Sequence, residues 1–161
     1  MSEFVPIFRG SVNAWECDIM GHFNVQFYAA KMFEGLNHLK SQLGLDPAQN
    51  MTWQANHLLS RYQGELHAGD IVDIRAGVLA VEADRVHILA EIMNGETDDM
   101  SASFELWCDG FDNKTQQPAP WPEDIRQKMS AKVVTRTDQP RPPTVGGPVP
   151  VHAGQLSDPF V

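Results

Sequence analysis

The chain is short of positive charge. Its 12 Lys and Arg face 21 Asp and Glu, for a formal net charge of -9, and no stretch gathers the basic residues. This argues against nucleic acid as a partner, because phosphate binding needs a basic patch or stripe. Any anionic ligand must be met by local donors, since the overall field repels it. Cysteine is also scarce: Cys17 and Cys108 stand far apart and belong to no metal-spaced pattern. They read as reduced thiols packed like small hydrophobes. The histidines His22, His38, His57, His67, His87 and His152 are scattered, without a close-spaced ligand pair, so no metal site is expected. No glycine-rich phosphate loop occurs, and no apolar run reaches the ~20 residues of a membrane span. The start, MSEFVPIFRG, lacks the charged-then-apolar layout of a secretory leader. The expectation is a cytoplasmic protein that touches neither membrane nor nucleic acid.

What is present is enough for one domain with a real core: 161 residues, 42% hydrophobic and 20% charged. The chain is organised around Trp15 to Leu43. A polar cluster of Glu16, Asp18, His22 and Asn24, interrupted by Gly21, runs into a helical pattern. Ala29, Met32, Phe33, Leu36, Leu39 and Leu43 recur at three- and four-residue intervals and form one stripe. The helix is expected from about Gln26 to Leu43, with Asn24 as N-cap and Gly44 as stop signal. Gly35 in its middle costs roughly 1 kcal/mol relative to Ala, which a close approach by another backbone would explain. Glu34 and His38 can meet on one face, as can Glu34 and Lys31.

Before the helix, Phe8, Gly10, Val12 and Ala14 alternate with polar neighbours, as a half-buried strand does. After it, strands are expected from about Ala55. HAGD (His67 to Asp70) marks a turn. Val72, Ile74, Ala76, Val78 and Ala80 share a face, then Val86, Ile88, Ala90 and Ile92. The next set is Met100, Ala102, Phe104, Leu106 and Cys108. Glu82 to Arg85 and Asn94-Gly95 supply turns between them. Short turns favour antiparallel pairing, and one apolar face per strand needs the helix stripe as its cover. The fold class is therefore α+β: a twisted antiparallel sheet curled around one long helix. After Gly110 the composition shifts, with nine of the 11 prolines at Pro118 or later. Pro122 to Ala131 fits a short helix. The division is a domain over 1–134 and a Pro/Gly-rich tail over 135–161, extended or packed on a neighbouring subunit.

The spacing Asp18-Ile19-Met20-Gly21-His22-Phe23-Asn24, followed by Tyr28 and Glu34, resembles the signature of hot-dog-fold acyl-CoA thioesterases. It is similar to the 4-hydroxybenzoyl-CoA thioesterase-like and acyl-ACP thioesterase-like groups. Tyr62 to Asp70, YQGELHAGD, resembles their second strand and its turn. Many relatives carry Asn-Asn after the His-x pair, whereas Val25 replaces the second Asn here. The resemblance implies an antiparallel sheet wrapped around a long central helix. It further implies hydrolysis of a small or medium acyl-CoA, with coenzyme A as part of the substrate and no separate cofactor. It also implies a homodimer or higher homo-oligomer with active sites at the subunit interface.

Thioester hydrolysis needs a base or nucleophile and something to polarise the carbonyl. A carboxylate can supply the first, and backbone N–H groups at a helix start the second. Asp18, His22 and Asn24 are the catalytic candidates, with Asp18 as the carboxylate. Gly21, Phe23, Tyr28, Glu34, His57 and Arg61 are candidates for substrate binding. Arg61, Lys114 and Arg126 are candidates for holding CoA, and Trp15, Trp53 and Trp107 for shaping an acyl pocket. Each of Asp18, His22 and Asn24 also has a plain structural reading, as turn cap, loop histidine and helix cap. The alternatives are a hot-dog acyl-CoA hydratase or dehydratase, and a non-catalytic acyl-CoA-binding module. A homodimer is further expected because Leu79, Val81, Leu89, Met93 and Trp107 would lie on the outer sheet face, too apolar to leave in water.

Overall fold

The helical stripe folds as read. A computed structural model describes residues 4–45 and 50–134, and the tail expected from 135 onward lies outside them. Helix α1 spans Val25–Gln42, and its buried positions include Tyr28, Met32, Leu36 and Leu39. Asn24 caps it, its Oδ1 accepting the Gln26 N–H at 3.1 Å. Gly35 meets β1 (Val5–Ser11): a Cβ there would stand 3.1 Å from the Ile7 carbonyl oxygen and 3.0 Å from its side chain. The close backbone approach inferred from that glycine is therefore real.

The remaining strands are β2 (Met51–Tyr62), β3 (Ile71–Val81), β4 (Arg85–Asn94), β5 (Met100–Asp112) and the short β6 (Gln117–Pro118). All pairs are antiparallel, in the order β1-β3-β4-β5-β2, with β6 beside β5. The helix α2, Glu123–Ser130, buries Ile125 and Met129 in the same core. Val72, Ile74, Ala76, Val78, Val86, Ile88, Ala90, Ile92, Ala102, Phe104, Leu106 and Cys108 are all buried in that core with the stripe of α1. Burial pushes the Cys108 thiol up to about 12, the behaviour of an inert packed cysteine. No helix among the described residues is long and apolar enough to cross a membrane.

Three local expectations are corrected. Ala80 does not share the core face, because a bulge between Val78 and Ala80 shifts the register, and Ala80 is exposed. β2 and β3, joined by residues 63–70, are not hairpin neighbours: β2 pairs with β5 and lies at the opposite edge from β1. The outer sheet face is not bare. Leu79 and Leu89 are buried with Val134 and pack against Phe4, while Trp107 stacks on His87 at 4.0 Å between ring centroids. His87 Nε2 meets Glu105 Oε1 at 2.6 Å between β4 and β5, and Arg75 pairs with Glu91 at 2.8 Å between β3 and β4. Phe4 and Val134 thus cover Leu79 and Leu89, while Val81 packs against the main core.

The link between β1 and α1 is held by a buried ion pair. Glu16, 4% exposed, lies in a single 3-10 turn, Ala14–Glu16. Its Oε1 meets Lys31 Nζ of α1 at 2.9 Å, with Lys31 only 9% exposed. Its Oε2 accepts the Asn13 backbone N–H at 2.8 Å and the Asn13 Nδ2 at 3.0 Å. Lys31 also donates to the Ser11 carbonyl at 3.3 Å. Burial alone would raise the Glu16 carboxyl, but the Asn13 hydrogen bonds and the Lys31 charge outweigh it and hold it below its usual range. A carboxyl lowered in the folded state stabilises fully above its unfolded value, near 4.5, and loses that contribution as pH falls through the folded value. Glu16→Gln leaves Lys31 buried and unpaired, so urea unfolding at pH 7 is expected to show a loss of about 3 kcal/mol. Unchanged stability would mean that the pair is not a fastening.

Candidate functional site

The motif folds into a small hairpin. Asp18 N–H donates to the His22 carbonyl at 2.9 Å, Asn24 N–H to the Glu16 carbonyl at 3.0 Å, and Cys17 bridges Phe23. Gly21 turns the corner at φ +81°, in the left-handed region that a side chain would strain. Asp18 Oδ1 accepts the N–H groups of Met20 at 2.8 Å and His22 at 3.1 Å. The turn-capping reading of Asp18 is thus correct for one oxygen. Its Oδ2 makes no hydrogen bond to protein among the described residues, and the residue is exposed. A rigid carboxylate with one uncommitted oxygen is compatible with a chemical role as well as a structural one.

The connection from β2 to β3 docks onto this hairpin. Phe23 N–H donates to the Leu66 carbonyl at 2.7 Å, and His22 pairs across to His67. Val12 N–H reaches the Asp70 carbonyl and Gly69 N–H the Val12 carbonyl, both at 2.9 Å. Leu66 is fully buried beneath. His22 sits half-buried, with Nε2 3.5 Å from Glu65 Oε2 and its ring edge-on to His67 at 5.1 Å between centroids. The separation of His22, Glu65 and His67 in sequence hid this convergence; only Glu65-x-His67 is local.

At the start of α1, the Gln26 N–H is taken by Asn24 Oδ1 and the Phe27 N–H by the Asn24 carbonyl at 2.9 Å. Val25 N–H is left as the first-turn amide with no protein acceptor among the described residues. Sequence reading gave the helix start but could not single out that amide. Tyr28 OH donates to Ser101 Oγ at 2.9 Å, because the Ser101 hydroxyl hydrogen goes to the Gly64 carbonyl at 2.8 Å. Burial raises the Tyr28 phenol, and Tyr62 lies edge-on to its ring at 5.4 Å.

The other candidates divide. Phe23 is buried against Tyr28, at 4.4 Å between centroids, and belongs to the core. Glu34 is exposed on α1, and neither expected partner is available: Lys31 pairs with Glu16 and His38 with Gln42 at 2.9 Å. His57 is exposed on the edge strand β2 beside Asn56, and Arg61 is half-buried near its end. Arg126 is engaged by Glu123 at 2.8 Å. The tryptophans do not converge: Trp15 lies edge-on to Phe27, Trp53 lies under Lys40 Nζ, and Trp107 is on His87. A cavity of about 560 Å³ is lined by Pro6, Phe8, His38, Asp73, Arg75 and Met93 among others, and by none of Asp18, His22 and Asn24.

Residues 12–129 match the family model of the thioesterase-like superfamily. No protein of curated function matches the chain in sequence. Among solved structures, a Staphylococcus aureus protein in complex with CoA superposes with a TM-score of 0.77 at 14% identity, covering 92% of this chain and 96% of that one. A 1,4-dihydroxy-2-naphthoyl-CoA thioesterase from Synechocystis superposes with a TM-score of 0.67 at 14% identity, over 80% of this chain and 96% of that one. A predicted thioesterase from Bacillus stearothermophilus reaches 0.72 at 19% identity, over 84% and 100%. These likenesses give the hot-dog fold, and the family match over the motif, the helix and the sheet gives the rest: the chain belongs to the thioesterase-like superfamily, among thioester hydrolases.

Proposed function

We propose that the protein hydrolyses an acyl-CoA of small or medium acyl length to the free acid and CoA, with Asp18 as the working carboxylate. The observation that carries this is the Asp18 side chain: one oxygen fixes the loop and the other is left for chemistry, inside a family of thioester hydrolases. In the step we envisage, the Asp18 carboxylate takes a proton from a water molecule as the water oxygen bonds to the thioester carbonyl carbon, and that proton is then available to the leaving sulfur. The C–S bond then breaks and the CoA thiolate leaves with a proton. Charge building on the carbonyl oxygen needs a donor, and Val25 N–H at the positive end of α1 is the amide suited to it. His22 and Asn24 hold the loop and orient the reactants. Binding of CoA itself is supported by analogy with the CoA complex of the Staphylococcus aureus protein.

We further propose that the site is completed by a second copy of the chain. β2 is an edge strand whose residues from Gln54 to Ser60 are exposed, with Leu58, Leu59 and Tyr62 among the exposed large hydrophobics. Such an edge needs a partner or protection. The motif hairpin carries a second apolar set: Trp15 is 71% exposed and Met20 72%, with Ile19 and Val25 beside them. A two-fold dimer would cover these surfaces and enclose a site that one chain leaves open.

Four outcomes test the reading. A panel of acyl-CoAs with a thiol-trapping dye should release free CoA from at least one member. A double-bond change without free thiol would indicate a hydratase, and binding without turnover a sensor. Asp18→Asn should lose most of that turnover while its circular dichroism spectrum is retained; wild-type rates in the folded variant would sink the assignment. Asn24→Ala should lose about 1 kcal/mol of stability as the cap is removed. A smaller drop in turnover than for Asp18→Asn is expected beside it, and intact turnover would reduce Asn24 to a cap alone. Light scattering at micromolar concentration should give a dimer or larger, and a stable, active monomer would overturn the shared site.

A further inference from the structure

Glu65 and His67 have no part in the hydrolysis proposed above, yet the fold holds both against His22. One ligand atom from each of the three lies within 4.8 Å of the others. Two ligands about 2.1 Å from a tetrahedral ion stand about 3.4 Å apart. His22 Nε2 and Glu65 Oε2 stand 3.5 Å apart, so this pair is already at ligand spacing.

The backbone fixes the two imidazoles opposite each other. His22 bridges His67, and the adjacent Phe23 N–H to Leu66 carbonyl bond is 2.7 Å long. Asp70 stands behind His67: its Oδ2 accepts the His67 backbone N–H at 2.8 Å and lies 3.7 Å from His67 Nδ1. The backbone bond fixes the loop that carries His67, while the ring itself, beyond hydrogen-bond distance of Asp70, is free to turn toward a metal. Glu65 and His67 are exposed, which leaves an entry path and room for small rotamer adjustments. Two imidazoles and one carboxylate suit an ion of the zinc class and suit calcium or magnesium poorly, since those prefer oxygen ligands throughout. Three protein ligands leave a fourth position for water. The net charge of -9 draws cations to the surface.

We propose that His22, Glu65 and His67 form a zinc-class metal site, and that occupancy, by claiming His22, inhibits turnover. The inhibitory half rests on the role given to His22 in the proposed hydrolysis; the binding half does not.

The test uses the untagged full chain, freed of metal by a chelator and titrated with Co²⁺. The wild-type protein should develop the visible absorption of a four-coordinate Co²⁺ site at one ion per chain, and Zn²⁺ should displace it. Glu65→Gln and His67→Ala, both surface changes with folding checked by circular dichroism, should weaken binding at least about tenfold. No saturable Co²⁺ absorption, or binding that survives both substitutions, overturns the site. Zn²⁺ should suppress acyl-CoA turnover in the wild type and spare His67→Ala, whose metal-free rate should match the wild type. Full turnover with Zn²⁺ bound overturns the inhibitory half. Absence of turnover under every condition would strike the hydrolysis reading instead, because Co²⁺ absorption is read without substrate.

Discussion

The ion pair between Glu16 and Lys31 is the constraint on which the candidate site depends. A carboxylate and an ammonium withdrawn from water are costly unless each is met from several directions. Here Asn13 supplies two donors to one Glu16 oxygen, Lys31 supplies the other oxygen, and the Ser11 carbonyl shares the ammonium. Those partners come from the end of β1, the 3-10 turn and the second turn of α1. The pair thus sets the path by which the chain leaves the sheet and enters the helix, and the hairpin from Glu16 to Asn24 is hung between those fixed points. Asp18 is oriented by the backbone N–H groups its Oδ1 accepts inside that hairpin, and His22 by the hairpin backbone together with the His67 ring against it.

The second determinant is the docking of residues 63–70. Because β3 begins beside the end of β1, with Ile71 opposite Ser11, the residues before β3 and those after β1 run on side by side. The bond from Phe23 to Leu66 joins them. It also explains why chemistry-bearing residues from distant parts of the chain share one spot. His22 follows β1, and Glu65 and His67 lie in the connection that leads from β2 into β3, the neighbour of β1.

Much of this was legible in the sequence where the signal is periodic. The stripe of α1, the cap Asn24, the alternating faces of β3 to β5 and the reason for Gly35 all follow from spacing and local stereochemistry. The Asp18-to-Asn24 motif was legible as a pattern, and its turn-capping half is present in the structure. What was not legible depends on distant pairing. The bulge that turns Ala80 outward leaves no compositional mark. The crossing from β2 to β3 looks like a hairpin to any local rule. The cover over Leu79 and Leu89 comes from Phe4 and Val134, at the two ends of the described chain. His67 read as a turn residue because its partner His22 lies on the other side of α1 in sequence. Lys31, read as a partner for Glu34, is instead buried because Glu16 sits on the turn packed against it.

The strand order has an entropic consequence. The centre of the sheet, β3-β4-β5, is a meander closed by short turns, whereas both edges are pairings between segments far apart in sequence. Loop-closure entropy rises with the length of chain enclosed, by (3/2)RT ln n for n residues. The centre is therefore the part of the sheet that assembles at least entropic cost, and β1 and β2 are the parts whose detachment restores the most chain freedom. One loop of the candidate site follows the edge strand β1, and the other joins the edge strand β2 to β3. The candidate site is thus mounted on segments that leave the edge strands, with the Glu16–Lys31 pair tying one of them to α1 and the Phe23–Leu66 bond tying the two together.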